Sequence, residues 1–131
     1  MKIGLDIHGV INKNPKKFVD LALKFRARGD LIYIITGETL SNDLINELLS
    51  YNNNERFWDE LVSIQDNLLS FIVPTGTDKK GRPVFDDYRW DSFKGKFCDE
   101  LDIDLMIDDT KRYGKYFNKA KTIFAVYDYN E

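Results

Sequence analysis

Apolar runs separated by amphipathic stretches organise this chain. Residues 2–7 alternate too little for a strand with one wet face, and predict a strand covered on both faces, as parallel sheets require. Asn14-Pro15 predicts a helix start, with asparagine as N-cap and proline in the first helical position. Phe18, Leu21, Ala22 and Phe25 follow at helical spacing, and Gly29 marks the stop. Leu31–Ile35 reads as a second buried strand running into Thr36-Gly37. Ser41 is placed to cap a helix carrying Leu44, Ile45, Leu48 and Leu49. A third strand is expected around Leu61–Ile64.

Residues 65–91 resist assignment because Pro74, Gly76, Gly81 and Pro83 interrupt them, and Lys79-Lys80-Gly81-Arg82 has the make-up of a hairpin tip. Ser92 is the expected cap of a helix with Phe93, Phe97 and Leu101 on one face. A short strand over Asp104–Ile107, a short helix over Lys111–Asn118 and a last strand over Lys121–Tyr127 complete the series. Strands alternating with helical segments predict an α/β fold with a mostly parallel sheet.

The 131 residues predict a single domain, and 43% hydrophobic with 31% charged residues is the balance of an ordinary globular protein. No apolar run reaches the length of a membrane span, and the first residues lack the features of a secretory signal. A lone cysteine, Cys98, offers neither an internal disulfide nor metal-ligand spacing, and its helical setting predicts a buried, inert thiol. A cytoplasmic location is the resulting expectation. A net charge of −3 argues against bulk binding to duplex nucleic acid and leaves room for a local basic patch. Trp58, Trp90, Phe57 and Phe85 are expected in the core, and Lys79, Lys80 and Arg82 in a solvated loop.

Candidate chemistry lies where strands end. Asp6 closes the first apolar run just before a glycine-containing turn, and Asp108-Asp109 closes the run Leu105-Met106-Ile107. Open parallel sheets bind ligands at the carboxyl ends of their strands. Three acids converging there repel one another unless a cation or a shared proton intervenes. A metal site beside a strand-end aspartate in turn points to phosphoryl chemistry.

In this order the motifs resemble those of the haloacid dehalogenase superfamily of aspartate-nucleophile phosphohydrolases. Asp6-Ile7-His8-Gly9-Val10 is similar to its first motif except at the third residue, where the family has a second Asp. Thr36 matches the strand-end Thr or Ser, Lys94 or Lys96 the helix lysine, and Asp108-Asp109 the acidic pair. The stretch from Lys94 to Asp109 looks most like small nucleotidase-like members. The resemblance implies a Rossmann-like three-layer sandwich with little or no cap, since one helix fills the space between Asp6 and Thr36. Any lid must lie within residues 37–93.

The resemblance also implies Mg²⁺, held by Asp6, the backbone carbonyl of His8 and Asp109, with Asp108 behind them bonded to the lysine. Asp6 would be the nucleophile and His8 the acid/base. Gly9, Thr36, Gly37 and Lys94 would contact the phosphoryl group. Lys94 is preferred to Lys96 as lying nearer the expected helix start. Imidazole suits the acid/base role, since its ordinary pKa of about 6.5 lets it give and take a proton near neutrality. The implied substrate is a nucleotide, a nucleic-acid end or another phosphomonoester. An uncapped site admits bulky substrates or is closed by another subunit, as in a homo-oligomer. The alternative reading is a catalytically impaired module that binds a phosphorylated ligand or a protein partner. Hydrolysis of a carbon–phosphorus or carbon–halogen bond fits less well, because such enzymes usually carry a cap to exclude water.

Overall fold

The computed structural model describes residues 1–117 and 121–129. Its first strand, β1 (Lys2–Leu5), is followed by a 3-10 turn over Ile11–Lys13, α1 (Pro15–Ala27), β2 (Leu31–Thr36), α2 (Asn42–Ser50) and β3 (Glu60–Ser63). Next come α3 (Ile64–Leu69), the short strands β4 (Gly76–Thr77) and β5 (Pro83–Val84), and α4 (Asp87–Glu100). The chain then forms β6 (Leu105–Asp108), a 3-10 helix over Lys111–Phe117 and β7 (Ile123–Val126).

Five strands make one sheet in the order β3-β2-β1-β6-β7, and every neighbouring pair is parallel. Ile3 lies between Ile32 and Leu105, and Leu5 between Ile34 and Ile107. Alternation along the strands divides the core. Ile3, Leu5, Ile32 and Ile34 pack with Phe18 and Ala22 of α1 and Leu44 and Leu48 of α2. Ile35 and Met106 join Ile64, Leu68 and Cys98 in a second cluster. Each buried Leu, Ile, Phe or Met among them contributes about 1.5–3 kcal/mol against leaving it in water. With both faces covered by helices, the architecture is a Rossmann-like α/β sandwich. No helix among the described residues is long and apolar enough to cross a membrane.

Several boundaries differ from the sequence expectation. β1 stops at Leu5, two residues early, because the chain enters a turn at Ile7. Asn14 occupies the N-cap position of α1 without a capping side-chain bond, so Pro15 alone marks that start. Ser41 does cap α2, its Oγ accepting from the Leu44 N–H at 3.1 Å. β3 begins at Glu60, and Ile64 opens α3, with Ser63 Oγ accepting from the Asp66 N–H at 3.0 Å.

The largest difference is α4, which starts at Asp87 under an Asp86 cap rather than at Ser92. Ser92 is buried inside the helix and its Oγ has no hydrogen-bond partner among the described residues. The Lys79–Arg82 segment is the tip of an antiparallel β4–β5 hairpin, as its composition predicts. The segment after β6 is 3-10 rather than α, and the predicted end of that helix at Asn118 lies outside the described residues.

Candidate active site

β1 is central, with β2 on one side and β6 on the other. The chain leaves β1 toward β2, so the crevice between β1 and β6 is the point at which strand order reverses. Open α/β sheets bind ligands at such a point. Asp6 and Asp108 stand at its mouth, Asp6 just past β1 and Asp108 as the last residue of β6. The Asp6 N–H donates to the Ile107 carbonyl at 3.0 Å and so carries the pairing one residue beyond the strand.

Asp6, Asp108 and Asp109 each bring a carboxylate oxygen within 4.8 Å of the others. Asp108 is fully buried, and its two oxygens are engaged: Oδ2 accepts from Lys94 Nζ at 2.5 Å and Oδ1 from the Thr110 N–H at 2.9 Å. Lys94, itself buried, also reaches to 3.7 Å from Asp6 Oδ1. Asp109 is exposed, with Oδ1 accepting from the Thr110 hydroxyl at 3.2 Å. Its Oδ2 faces Gly9, where an added Cβ would lie only 2.0 Å away. Gly9 also takes a φ of +90° and donates its N–H to Asn12 Oδ1 at 2.8 Å. Both the left-handed backbone and the close approach require glycine there.

With all groups ionised, three carboxylates against one ammonium leave this cluster two negative charges in excess. The strain shows in Asp6, whose carboxyl is pushed up to about 7, first by burial and then by Asp108 and Asp109, while Lys94 pulls the other way. Burial disfavours the Lys94 ammonium, but Asp6 and Asp108 outweigh it and hold the pKa above the ordinary value. Lys94 is therefore a fixed positive charge. Cys98, buried as predicted, is pushed up to about 12 by desolvation and remains an inert thiol.

This imbalance makes a pH prediction for the metal-free protein. Its folded state holds a proton on Asp6 that the unfolded chain gives up near 3.8. Stability should therefore fall as pH rises from about 4 to 7, by up to about 1.4 kcal/mol per pH unit. Denaturant unfolding across that range checks it, with Asp6→Asn as reference. The variant should lack this component, and equal slopes in the two proteins would contradict the assignment.

Thr36 ends β2 beside the cluster. Its Oγ1 accepts from the Glu38 N–H at 3.1 Å, which leaves the hydroxyl hydrogen to donate. The loop that follows is pinned from the junction of β3 and α3: Ser63 Oγ donates to the Glu38 carbonyl at 2.5 Å, the Thr39 hydroxyl donates to Asp66, and the Leu40 N–H donates to Asp66 Oδ2 at 3.1 Å. Gly37 leaves room for the Trp90 indole, which would sit 3.1 Å from a Cβ at that position. His8 is exposed at the mouth, with Nδ1 3.8 Å from Glu38 Oε1.

These groups line a cavity of about 690 Å³, far larger than a phosphoryl group needs. Asp6, His8, Thr36, Gly37, Lys94 and Asp109 form one part of it, and Arg82, Phe85, Trp90, Arg112 and Tyr113 another. Every residue proposed from sequence therefore gathers at one place, with Gly9 and Asp108 directly behind. Lys94 rather than Lys96 reaches the acids, and for a different reason from the expected nearness to the helix start. It projects from the middle of α4, whereas Lys96 is exposed with its ammonium over the Tyr88 ring. Phe57, Trp58 and Phe85 are buried as expected, but Trp90 is half-buried and lines the cavity. It stacks on Phe85 at 6.0 Å and donates Nε1–H to the Tyr113 hydroxyl at 3.1 Å. Trp90 lies one turn before Lys94, a helical spacing hidden by the expected start at Ser92.

The fold and the cluster define an α/β protein with an acidic, lysine-braced site at its strand ends. No family model matches the chain, and no curated protein does. A solved structure titled "Structure of MT0777" aligns with 98% of this chain and 87% of its own, at 10% identity and a TM-score of 0.46. That likeness is too slight to bear on function.

Proposed function

We propose that this protein is a Mg²⁺-dependent phosphohydrolase of the haloacid dehalogenase type, forming an aspartyl-phosphate on Asp6. The observation that carries this reading is the convergence of Asp6, Asp108 and Asp109 on a buried lysine at the sheet's switch point. The donor set suits Mg²⁺. It is all oxygen, and its excess negative charge calls for a divalent cation. Asp6, Asp109 and the backbone carbonyl of His8 would hold the ion, since both oxygens of Asp108 are already committed. When bound, Mg²⁺ screens Asp6 from the phosphate dianion and polarises a phosphoryl oxygen.

The remaining steps belong to the chain. Thr36 and the Gly37 N–H donate to phosphoryl oxygens, and Lys94 adds a fixed charge. An Asp6 oxygen attacks phosphorus while the bond to the leaving oxygen breaks, and protonated His8 gives that oxygen its proton. Neutral His8 then takes a proton from water as the water attacks phosphorus, and Asp6 leaves as carboxylate. The substrate is a phosphomonoester. The β4–β5 hairpin, which supplies Asp78, Arg82, Pro83 and Val84 to the cavity wall, is the only segment we assign as a small flap. A cytoplasmic setting belongs to the same proposal.

Metal-dependent phosphate release from a panel of phosphomonoesters, including 5′- and 3′-nucleotides, tests this, with Asp6→Asn as blank. The second reading, a module that binds a phosphorylated ligand without turning it over, draws on His8. Its imidazole lies 3.8 Å from Glu38, beyond hydrogen-bond distance. Binding of the same compounds without release would favour it.

The assignment of ligands has its own check. Asp109→Asn should weaken Mg²⁺ affinity more than Asp108→Asn does, measured by calorimetric titration. Asp108→Asn should instead cost more stability, because it leaves buried Lys94 without its hydrogen-bonded counter-charge. The reverse order of affinities would exchange the two roles.

A further inference from the structure

The 3-10 helix that follows the acidic pair carries Lys111, Arg112, Tyr113, Lys115 and Tyr116 and no acid. It lies directly across α4: a Cβ on Gly95 would come within 2.4 Å of the Tyr116 carbonyl oxygen. This crossing brings two lysine–tyrosine pairs together. Lys96 Nζ sits 5.5 Å from the centre of the Tyr88 ring, and Lys115 Nζ 5.0 Å from that of Tyr116. The two rings meet edge to face at 5.8 Å. Tyr88 is 60% exposed, and both lysines are exposed.

Arg112 joins this face to the cavity. Its guanidinium lies 5.1 Å from the Tyr113 ring centre, and its Nε donates to both Asp91 oxygens at 3.2 Å. Asp87 also acts on the Arg112 charge, and Arg112 itself lines the cavity wall. The acids nearby are partly spent: Asp91 holds Arg112, and Asp86 pairs with Arg89 at 3.4 Å.

We infer that this face binds single-stranded nucleic acid, leading a phosphorylated strand end into the cavity. Cations that follow a backbone, interleaved with exposed rings on which bases stack, are what a single strand requires. A duplex hides its base faces from such rings, and the chain's net charge of −3 works against duplex binding at large. Lys96, Arg112 and Lys115 meet phosphodiester oxygens, and Tyr88 takes a base. The inference rests on the phosphohydrolase reading only for what enters the cavity. Binding along the face is independent of it.

The test is fluorescence anisotropy with a short, unphosphorylated, fluorescein-labelled oligothymidylate, which offers no bond for the phosphatase to cut. The wild-type protein should bind it saturably at low salt. Lys96→Glu with Lys115→Glu should weaken binding at least tenfold and reduce the slope of log affinity against log salt by about 1.4. Lys96→Gln with Lys115→Gln should fall between, and Tyr88→Ala should weaken binding by roughly tenfold. Turnover of a small phosphomonoester should be unchanged in all three, which also certifies their fold. No saturable binding, equal binding by the variants, or equally tight binding of the duplexed probe would overturn the inference. None of these results would touch the phosphohydrolase proposal, which fails separately if phosphomonoesters are not turned over.

Discussion

Asp6→Asn is expected to lower phosphomonoester turnover by at least about a thousandfold while leaving the protein folded and, without metal, more stable than wild type. The two effects share one origin. A carboxylate oxygen can displace the leaving group at phosphorus, and an amide is a far poorer nucleophile. Asp6 is nevertheless a costly group to keep ionised, since burial and the neighbouring Asp108 and Asp109 push its carboxyl up to about 7. Asparagine has nearly the same shape and no charge, so it relieves that repulsion. Lys94 keeps Asp108 as its hydrogen-bonded partner in the variant. Turnover measured beside thermal unfolding separates this outcome from simple misfolding. A variant that was inactive and markedly less stable would show Asp6 to be structural.

The second large effect concerns His8, the residue at which this chain departs from the pattern it resembles. If imidazole serves the leaving oxygen and then water, His8→Ala should depress turnover by about 10²–10⁴. Mg²⁺ affinity should hardly change, because only the backbone carbonyl of residue 8 is assigned to the ion. The exposed position of His8, at the cavity mouth and away from the core, argues that the substitution leaves the fold intact. His8→Asp is the discriminating partner. Lower activity than wild type supports a working imidazole, whereas activity raised above wild type identifies an impaired site. Assaying both variants for turnover and metal affinity decides between the enzyme and the binding module.

The floor of the candidate site was legible in the sequence because backbone rules build it. Runs such as Leu31–Ile35 and Leu105–Ile107 are apolar enough to be buried on both faces, which makes them parallel strands. A carboxylate or hydroxyl that ends such a run must emerge at the ligand-binding edge. Asp6, Thr36 and Asp108 follow from that alone.

The cavity's far wall was not legible, for local reasons. Asp87-Tyr88-Arg89-Trp90-Asp91 has no apolar periodicity, so the true start of α4 under Asp86 is hidden and Ser92 looks like the better cap. Trp90 consequently looked like core. The β4–β5 hairpin pairs strands of only two residues each, too short for any alternation to show. Glu38 and Asp66 act through contacts across 25 to 27 residues of chain, which a local pattern does not carry.

Passage of the phosphoryl group through Asp6, as proposed, can be trapped by acid-quench labelling. The protein is mixed with a turned-over phosphomonoester carrying radiolabelled phosphate, with Mg²⁺ present, then quenched in acid and digested, and the label is located by peptide mapping. Label is expected on the peptide that contains Asp6, at that residue, lost on treatment with hydroxylamine and absent from Asp6→Asn. Steady phosphate release with no labelled protein, or label at any other residue, would contradict it.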